Sequence, residues 1–456
     1  MMLKSKGRAA LLICASIFAG LCLTSCGSST LGYLYSTSVQ YGQVFSFRLD
    51  INTGKIGGTN CSVSNSGQQS CNNSTGGANP TKLVSAAGGD LVYVLNTGST
   101  SPASAGNIAL FTLGGSGTVY STGQTFSSSG QNPIDMFLSP SGGYLFVLDQ
   151  YQPASVAGCA TPTPSTCAGD ITVFQIGSNG NLVVVINQTG PNNTTPPYFP
   201  VGFVPDAPTN NYGGNHFYAV NGFLYVLDNS LGTNKPQVDT LAINPTNSQL
   251  TSNNTAPTLN GSFSQPFAIT GSGGDVFIAD YGNGAIWTYT APASGNGSLS
   301  GAGNGYFCPA NPAYVYTQGG SPNQPSTGGS CNTATVGGAP AQFDALLLVT
   351  SGTNPYLYAA DFNSANTANL YSMTVGSTTG GILSLSTHGV NPIPLGNSPT
   401  CITVSSGTPY LYVSGNGSLA GEQIDTATGV LTTQNNPATS VPVQGYNPCL
   451  YFSGRT

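Results

Sequence analysis

The clearest hydrophobic pattern in the chain is a short run of aromatic and β-branched residues that follows a turn and ends in a small polar residue. It is sharpest at Gly142–Asp149, which reads GGYLFVLD. A run of this kind is typical of a β-strand. Because it occurs seven times, it predicts a repeat architecture. The six other copies are Gly32–Ser36, Asp90–Asn96, Gly222–Asp228, Gly274–Asp280, Pro355–Asp361 and Pro409–Ser414.

Each repeat unit divides into four predicted strands, which we call A to D from the centre of a ring outward. The run above is strand B, and strand D has the weakest pattern, as an outer edge should. Strand A follows a proline, which at the first residue of a strand removes no ladder hydrogen bond. These prolines are Pro80, Pro133, Pro200, Pro266, Pro340, Pro399 and Pro448. The predicted C strands are Gln43–Leu49, Asn107–Leu113, Asp170–Ile176, Gln237–Ile243, Ala285–Thr290, Asn369–Val375 and Gly421–Asp425.

The two ends of the repeat region belong to one unit. The region starts on a strand B and ends at Cys449–Phe452, which reads as a strand A. We therefore predict an all-β fold, a seven-bladed β-propeller of four-stranded blades whose first blade is closed by the C-terminal strand. Two longer spacings, around Asp206–Asn221 and Ala291–Ala339, are rich in Gly, Pro, Asn and Ser and predict surface insertions.

The composition of the chain suits a folded domain in spite of its few charges. Only 5% of the 456 residues are charged, but 39% are hydrophobic, including 23 Tyr and 19 Phe, so there is material for a core. The N-terminus carries Lys4, Lys6 and Arg8 before the apolar stretch Ala9–Leu23, which is typical of an export signal. Leu23–Cys26 then resembles the bacterial lipobox, in which the cysteine is acylated. The alternative is a plain secretory peptide with an incidental cysteine.

These features predict the domain limits and the location. Residues 1–25 form the signal peptide, residues 26–31 the lipidated Cys26 with a short linker, and residues 32–456 the propeller. We expect an exported protein anchored by lipid in the bacterial cell envelope, at the outer membrane or the cell surface. The mature chain has five positive and fourteen negative residues, a formal charge of −9. This balance argues against nucleic acid and against charge-driven binding to anionic lipid. We expect a monomer.

Eight cysteines remain in the mature chain after Cys26, an even number that favours disulfides in an exported protein. Their proximity suggests three local pairs and one bond across the seam between the last and first blades. The alternative for the seam is two buried thiols. The expected pairs are Cys61 with Cys71, Cys159 with Cys167, Cys308 with Cys331, and Cys401 with Cys449.

The segment Ser139–Asp149, followed by a strand such as Asp170–Ile176, resembles the seven-bladed lactonase-like (6-phosphogluconolactonase-like) propellers and their YVTN-repeat relatives. The resemblance covers essentially the mature chain. It implies the propeller fold and a family with both lactone-hydrolysing enzymes and envelope proteins. Enzymes of that family place Arg, His and Glu around the channel mouth, whereas no Arg or His directly follows the seven prolines here. We therefore expect a non-catalytic module that binds or scaffolds a saccharide or an envelope protein; the alternative is a lactone hydrolase at the channel mouth.

The candidate site residues fall into two sets. Lys82 and Asp135 are the only charged residues just after the strand A prolines and are the catalytic candidates. The polar residues at the ends of B strands are the ligand candidates, although we favour a turn role in which they accept backbone N–H groups. We expect His216 and His388 to be solvated loop residues, and we expect no metal and no cofactor. The strand-end residues are Asn96, Asp149, Asp228, Asp280 and Asp361.

Overall fold

The structure, a computed structural model, is a ring of seven antiparallel sheets, which confirms the predicted seven-bladed propeller. Strand A of blade 1 comes from the C-terminus and pairs with the first strand of the repeat region, so the predicted closure of the ring is also confirmed. None of the described residues forms a helix long and apolar enough to cross a membrane. The structure describes residues 30–59, 62–63, 69–70, 73–86, 88–100, 103–163, 165–186, 196–205, 215–228, 237–252, 265–282, 284–308, 342–350, 355–361, 369–376, 383–385, 393–394, 399–405, 410–432, 441–446 and 450–454.

Strands A and B of the blades are the inner hairpins of the ring. From blade 1 to blade 7, strand A spans Leu450–Ser453, Pro80–Ser85, Gln131–Leu138, Phe217–Val220, Pro266–Ser272, Phe343–Val349 and Pro399–Val404. In the same order, strand B spans Thr30–Ser38, Leu91–Asn96, Tyr144–Tyr151, Phe223–Asp228, Asp275–Asp280, Tyr356–Asp361 and the first part of Tyr410–Ile424.

Strands C and D complete each blade outward. Strand C spans Gln43–Asp50, Asn107–Leu113, Asp170–Ile176, Gln237–Ile243, Ala285–Thr290, Asn369–Val375 and the second part of Tyr410–Ile424. Strand D spans Ile56–Thr59, Val119–Phe126, Leu182–Val184, Leu250–Ser252, Ser300–Phe307, Leu383–Leu385 and Leu431–Thr432. Short additional strands are Ser62–Val63, Gln69–Ser70, Ser99–Thr100, Ala103–Ser104, Phe199–Pro200, Ile393–Pro394 and Val441–Tyr446.

The prediction for strand A of blade 4 was wrong. Pro200 lies in Phe199–Pro200, which pairs with strand C of blade 3. The true strand, Phe217–Val220, lies inside the segment that we assigned to an insertion. It joins strand B through Asn221 and Gly222, whose φ angles of 54° and 82° suit a two-residue hairpin turn. In blade 6 strand A begins at Phe343, and Pro340 and Pro448 lie outside the described residues.

The second predicted insertion, Ala291–Ala339, also holds a strand. Ser300–Phe307 is strand D of blade 5 and pairs with strand C of that blade. Of the rest, residues 309–341 lie outside the described residues. This outer strand reads SGAGNGYF and carries little hydrophobic pattern, so it could not be recognised from the sequence.

Neighbouring blades are joined by a repeated contact between a tyrosine and a glycine. A tyrosine at the third position of the regular strand B donates its hydroxyl to the carbonyl of a glycine in the C–D turn of the next blade. Each glycine has a φ of 63° to 77°, a conformation that glycine adopts at little cost. The pairs are Tyr93 with Gly180 at 2.8 Å, Tyr225 with Gly297 at 2.9 Å, Tyr358 with Gly429 at 2.9 Å and Tyr412 with Gly54 at 3.0 Å.

The large apolar residue two positions before that tyrosine packs on the same glycine. A Cβ atom on Gly429 would overlap the ring of Tyr356, and one on Gly54 would overlap the ring of Tyr410. The glycine is therefore required both for its φ angle and for this close approach. Because Gly54 belongs to blade 1 and Tyr410 to blade 7, the contact also closes the ring at its seam.

One predicted disulfide is present among the described residues. Cys159 and Cys167 are bonded, with their Cα atoms 5.0 Å apart. Cys308 is disulfide-bonded as well. Cys401 is a buried thiol, and its predicted partner Cys449 lies outside the described residues, so the seam bond stays a prediction. Cys26, Cys61, Cys71 and Cys331 also lie outside the described residues.

We expect Tyr225→Phe to lower the free energy of unfolding by about 1 kcal/mol, with an upper limit of about 3 kcal/mol, because the buried Gly297 carbonyl loses its donor. The ring itself should still fit, since blades 3 and 5 carry Phe146 and Phe277 at the equivalent position. Urea denaturation of the mature domain measures the change. The matched control is Tyr120→Phe, whose side chain is 55% exposed. Equal stability of the two variants would contradict a role for the hydroxyl contact.

Candidate functional site

The start of strand A adopts the same irregular geometry in five blades. The register with strand B shifts by one residue there, which is a β-bulge. The residue after the bulge pairs with the second-to-last residue of the regular B strand. In blade 4, His216 takes this place, since its carbonyl accepts the N–H of Leu227. The equivalent residues of blades 2 to 7 are Lys82, Asp135, His216, Ala268, Ala345 and Cys401.

Three of these equivalent positions carry ionisable groups, and they meet. Lys82 Nζ lies 2.8 Å from Asp135 Oδ1, and His216 Nδ1 lies 3.3 Å from Asp135 Oδ2. Lys82 Nζ also donates to Asn215 Oδ1 at 2.6 Å. We call Lys82, Asp135, Asn215 and His216 the inner cluster. It joins strand A of blades 2, 3 and 4, and the sequence predicted two of its four members.

Asp135 holds the inner cluster together through both carboxylate oxygens. Oδ1 accepts the backbone N–H of Met136 at 2.8 Å, and Oδ2 accepts the backbone N–H of His216 at 2.6 Å. Burial by itself would raise the pKa of Asp135, but the Lys82 ammonium and His216 outweigh it, so the pKa lies below its ordinary value of 3.8. Asp135 is therefore a carboxylate at neutral pH.

The imidazole of His216 is oriented by packing. The ring lies 6.1 Å from that of Phe267, which in turn lies 5.7 Å from Tyr281. Neither ring nitrogen of His216 makes a hydrogen bond with proper geometry to any residue that the structure describes. The prediction that His216 is a solvated loop residue was wrong, because its side chain is only 1% exposed. Asn221-Gly222 is a typical hairpin turn, so it predicts a strand just before it. That strand would have placed His216 at the start of strand A.

The inner cluster is almost closed to solvent. The side chains of Lys82 and Asp135 are 10% and 2% exposed. Asn215 is partly exposed and Lys82 is just buried, so these two residues are the accessible members of the inner cluster.

The strand-end residues Asn96, Asp149, Asp228, Asp280 and Asp361 do not form a common mouth, because all five are buried. Three of the carboxylates accept the backbone N–H of a residue beside the start of strand A in their own blade, which is a structural role but not the predicted bond to their own turn. The bonds are Gly130 N to Asp149 at 3.3 Å, Gln265 N to Asp280 at 2.8 Å and Gln342 N to Asp361 at 2.7 Å.

Asp344 is a further buried carboxyl on this side of the ring, in the bulge of blade 6. Its side chain is fully buried, and neither oxygen meets a hydrogen-bond donor from the described residues. Burial, together with the charge of Asp361, raises the pKa of Asp344 well above its usual range. Asp344 could not be recognised from the sequence, because a single aspartate in an apolar strand forms no motif. Among the described residues there is no group of three or more metal-ligating side chains.

We expect the Lys82–Asp135 pair to be strongly coupled in stability. Lys82→Met leaves the buried Asp135 carboxylate without its ammonium partner. It should lower the free energy of unfolding by about 3 kcal/mol or more, since an uncompensated charge then remains buried. The double variant Lys82→Met with Asp135→Asn should recover part of that loss. Chemical denaturation of the wild-type protein, the two single variants and the double variant gives the coupling free energy between Lys82 and Asp135. Additive losses would mean that the two groups do not depend on each other.

Comparison with protein-family models and with curated protein sequences gives no match. Several solved structures are similar. A periplasmic gluconolactonase from Pseudomonas aeruginosa aligns with a TM-score of 0.60 at 16% identity, over 93% of this chain and 99% of its own. A Bacteroides fragilis protein with a proposed 6-phosphogluconolactonase assignment gives 0.58 at 18% identity, over 94% and 99%. A Lactobacillus plantarum protein gives 0.60 at 16% identity, over 93% and 99%.

The TM-scores show a shared fold. At 16–18% sequence identity, the activity of this chain has to be inferred from its own residues. The chain is a seven-bladed β-propeller, and the solved structures that share its fold include a gluconolactonase.

Proposed function

We propose that the protein is an exported lactone hydrolase that acts at the inner cluster. The observation that carries the proposal is the meeting of a base, a carboxylate and a cation, His216, Asp135 and Lys82, at the same strand position of three adjacent blades. The gluconolactonase assignments of the structural neighbours support the reaction class by analogy of fold alone.

The reaction needs only water as a second substrate. His216 Nε2 takes a proton from water as the water oxygen attacks the lactone carbonyl carbon. The Lys82 ammonium stabilises the negative charge that develops on the carbonyl oxygen. The bond between this carbon and the ring oxygen then breaks, and the ring oxygen receives the proton from His216. The product is the open hydroxy acid.

Asp135 has a positioning role in this scheme. Its Oδ2 lies 3.3 Å from His216 Nδ1 and accepts the backbone N–H of the same residue, so it fixes strand A of blade 4 beside blade 3. A carboxylate at this distance also stabilises the imidazolium that forms during the reaction. The buried inner cluster must open at Lys82 and Asn215, its more accessible members, to admit a substrate.

The second candidate function is a binding module without catalysis, for a saccharide or an envelope protein. The near-complete burial of His216 and Asp135 favours it, because both groups already have structural partners. In this case Lys82, Asp135 and His216 would stabilise the ring and the ligand would bind elsewhere.

We also propose that residues 1–25 are removed and that Cys26 carries the lipid that anchors the propeller in the bacterial envelope. The signal pattern at the N-terminus supports this proposal. The Cys159–Cys167 disulfide supports export as well, because such bonds persist in oxidising compartments.

We expect the mature domain to hydrolyse a sugar-acid lactone such as gluconolactone, and we expect His216→Gln to reduce kcat/KM by about 10²–10⁴-fold through loss of the base. Release of the acid, followed with a pH indicator, measures the rate with and without added divalent metal. His388→Gln is the matched control and should keep full activity. Circular dichroism confirms that each variant is folded.

Two results would contradict the hydrolase. If His216→Gln retains the wild-type rate, His216 is not the base. If no lactone of a panel is hydrolysed but one raises the melting temperature in a saturable way, the protein is a binding module.

The lipid anchor predicts that Cys26→Ser moves the protein from the membrane fraction to the soluble periplasmic fraction when the full chain is expressed in a bacterial host. The wild-type protein should incorporate a labelled fatty acid, and the variant should not. A variant that stays membrane-bound and labelled would exclude acylation at Cys26.

A further inference from the structure

The last residue of a regular strand B and the first residue of strand C face each other across the sheet in each blade. In blade 3 both are aspartates, Asp149 and Asp170, and both are fully buried. No other blade with a regular B–C hairpin among the described residues has two carboxyl groups here. The equivalent pairs are Asn96 with Asn107, Asp228 with Gln237, Asp280 with Ala285 and Asp361 with Asn369.

Blades 2 and 6 show one way in which this position is satisfied, whereas blade 5 has Ala285 there and Gln237 of blade 4 donates to Asp239. In blade 2, Asn96 Nδ2 donates to Asn107 Oδ1 at 2.6 Å. In blade 6, Asn369 donates a hydrogen bond to Asp361, which lowers the pKa of that carboxyl against the effect of burial. Each of these pairs thus contains one donor and one acceptor. Two carboxylates contain no donor, so the blade 3 pair needs a proton to make the same contact.

Within the described part of the chain, no ion pair supplies a positive charge to the blade 3 pair. Asp149 accepts Ser128 Oγ at 2.6 Å, Gly130 N at 3.3 Å and Thr172 Oγ1 at 3.4 Å. Apart from Asp149, no described residue donates a hydrogen bond to either buried oxygen of Asp170.

The remaining titratable group that faces the pair is Tyr198, from the segment after strand D. Burial and then the charge of Asp170 raise the pKa of Tyr198. The ion pairs of the described residues, Lys82–Asp135 and His216–Asp135, include neither aspartate of the blade 3 pair.

We propose that Asp149 and Asp170 share one buried proton and that loss of this proton is a pH-sensitive switch in blade 3. The pair lies beside the inner cluster, because Asp149 is opposite Pro133 on strand A and Leu148 is opposite Asp135. If both Asp149 and Asp170 were charged, they would repel each other and separate strands B and C of blade 3. This would occur at the end of the strands that lies next to Asp135. The inference does not depend on the proposed hydrolysis.

The pKa values of the pair support this assignment. Burial raises the pKa of Asp149 to about 7, although its hydrogen bonds oppose the shift. Burial and the neighbouring Asp149 raise the pKa of Asp170 well above its usual range. A group whose pKa is raised in the folded state binds its proton more tightly there than in the unfolded chain. The associated stability is therefore complete below the unfolded pKa of about 3.8 and is lost as the pH rises through the folded value.

The test is the melting temperature of the mature domain as a function of pH. From about pH 6 to about pH 9, the wild-type protein should lose about 2–4 °C more than Asp170→Asn, in which an amide replaces the proton. Asp149→Asn, which recreates the residue of blade 2, serves as a second variant if the first does not fold. Infrared spectroscopy should show a protonated carboxyl band at neutral pH in the wild-type protein that is absent in the folded variant.

The matched control introduces the same pair elsewhere. Asn369→Asp places two carboxyl groups at the equivalent position of blade 6 and should add a pH dependence of the same sign. Equal pH dependence of the wild-type protein and Asp170→Asn would overturn the proposal. A saturable stabilisation of the wild-type protein by calcium chloride, absent in Asp170→Asn, would assign a cation to the pair and overturn it as well.

Discussion

The contact between the strand B aromatics of one blade and a turn glycine of the next is the constraint on which the ring depends. In four blades it combines a large apolar side chain that covers the glycine, a tyrosine hydroxyl that reaches its carbonyl and a turn with positive φ. Blades 3 and 5 have Phe146 and Phe277 in place of the tyrosine. Because Tyr412 makes this contact to Gly54, the same interaction that joins neighbours also joins the last blade to the first. The repeated aromatic run is thus explained by packing between blades. The recurrence of this run in every blade is therefore no evidence of catalysis.

This constraint directs attention to positions where the blades differ. The residue after the strand A bulge has the same place in six blades, and its side chain is alanine in blades 5 and 6, where Ala268 and Ala345 lie. In blades 2 to 4 it is Lys82, Asp135 and His216. Alanine shows that the fold does not need a charge at this position. The stability cost of burying three ionisable groups there therefore requires another explanation, and chemistry at the inner cluster supplies one.

Much of the fold could be predicted from the sequence, because period-2 apolar runs and their turns are local signals. Six of the seven C strands begin at the residue that the pattern indicated, for example Asn107 and Asp170. Strand A of blade 4 was missed because we expected a proline at its start. Pro200 lies instead in a short strand that pairs with strand C of blade 3. The same error hid His216. Burial of Asp149 and Asp344 could not be predicted either, since it depends on how neighbouring chain segments cover a strand end.

Blade 3 buries Asp135 and the pair Asp149 and Asp170, although only 5% of the residues of the chain are charged. Asp135 is paired with one of the few lysines, and the ammonium keeps it charged. Asp149 and Asp170 have no such partner within the described residues, and in our proposal a shared proton reduces the buried charge of the pair from −2 to −1. The two solutions respond to pH with opposite signs: the stability from Asp135 is lost as the pH falls below its unfolded pKa, and that from the aspartate pair is lost as the pH rises. Since both lie at the same end of blade 3, the pH range in which the blade is fully ordered is bounded on the acid side by one and on the basic side by the other.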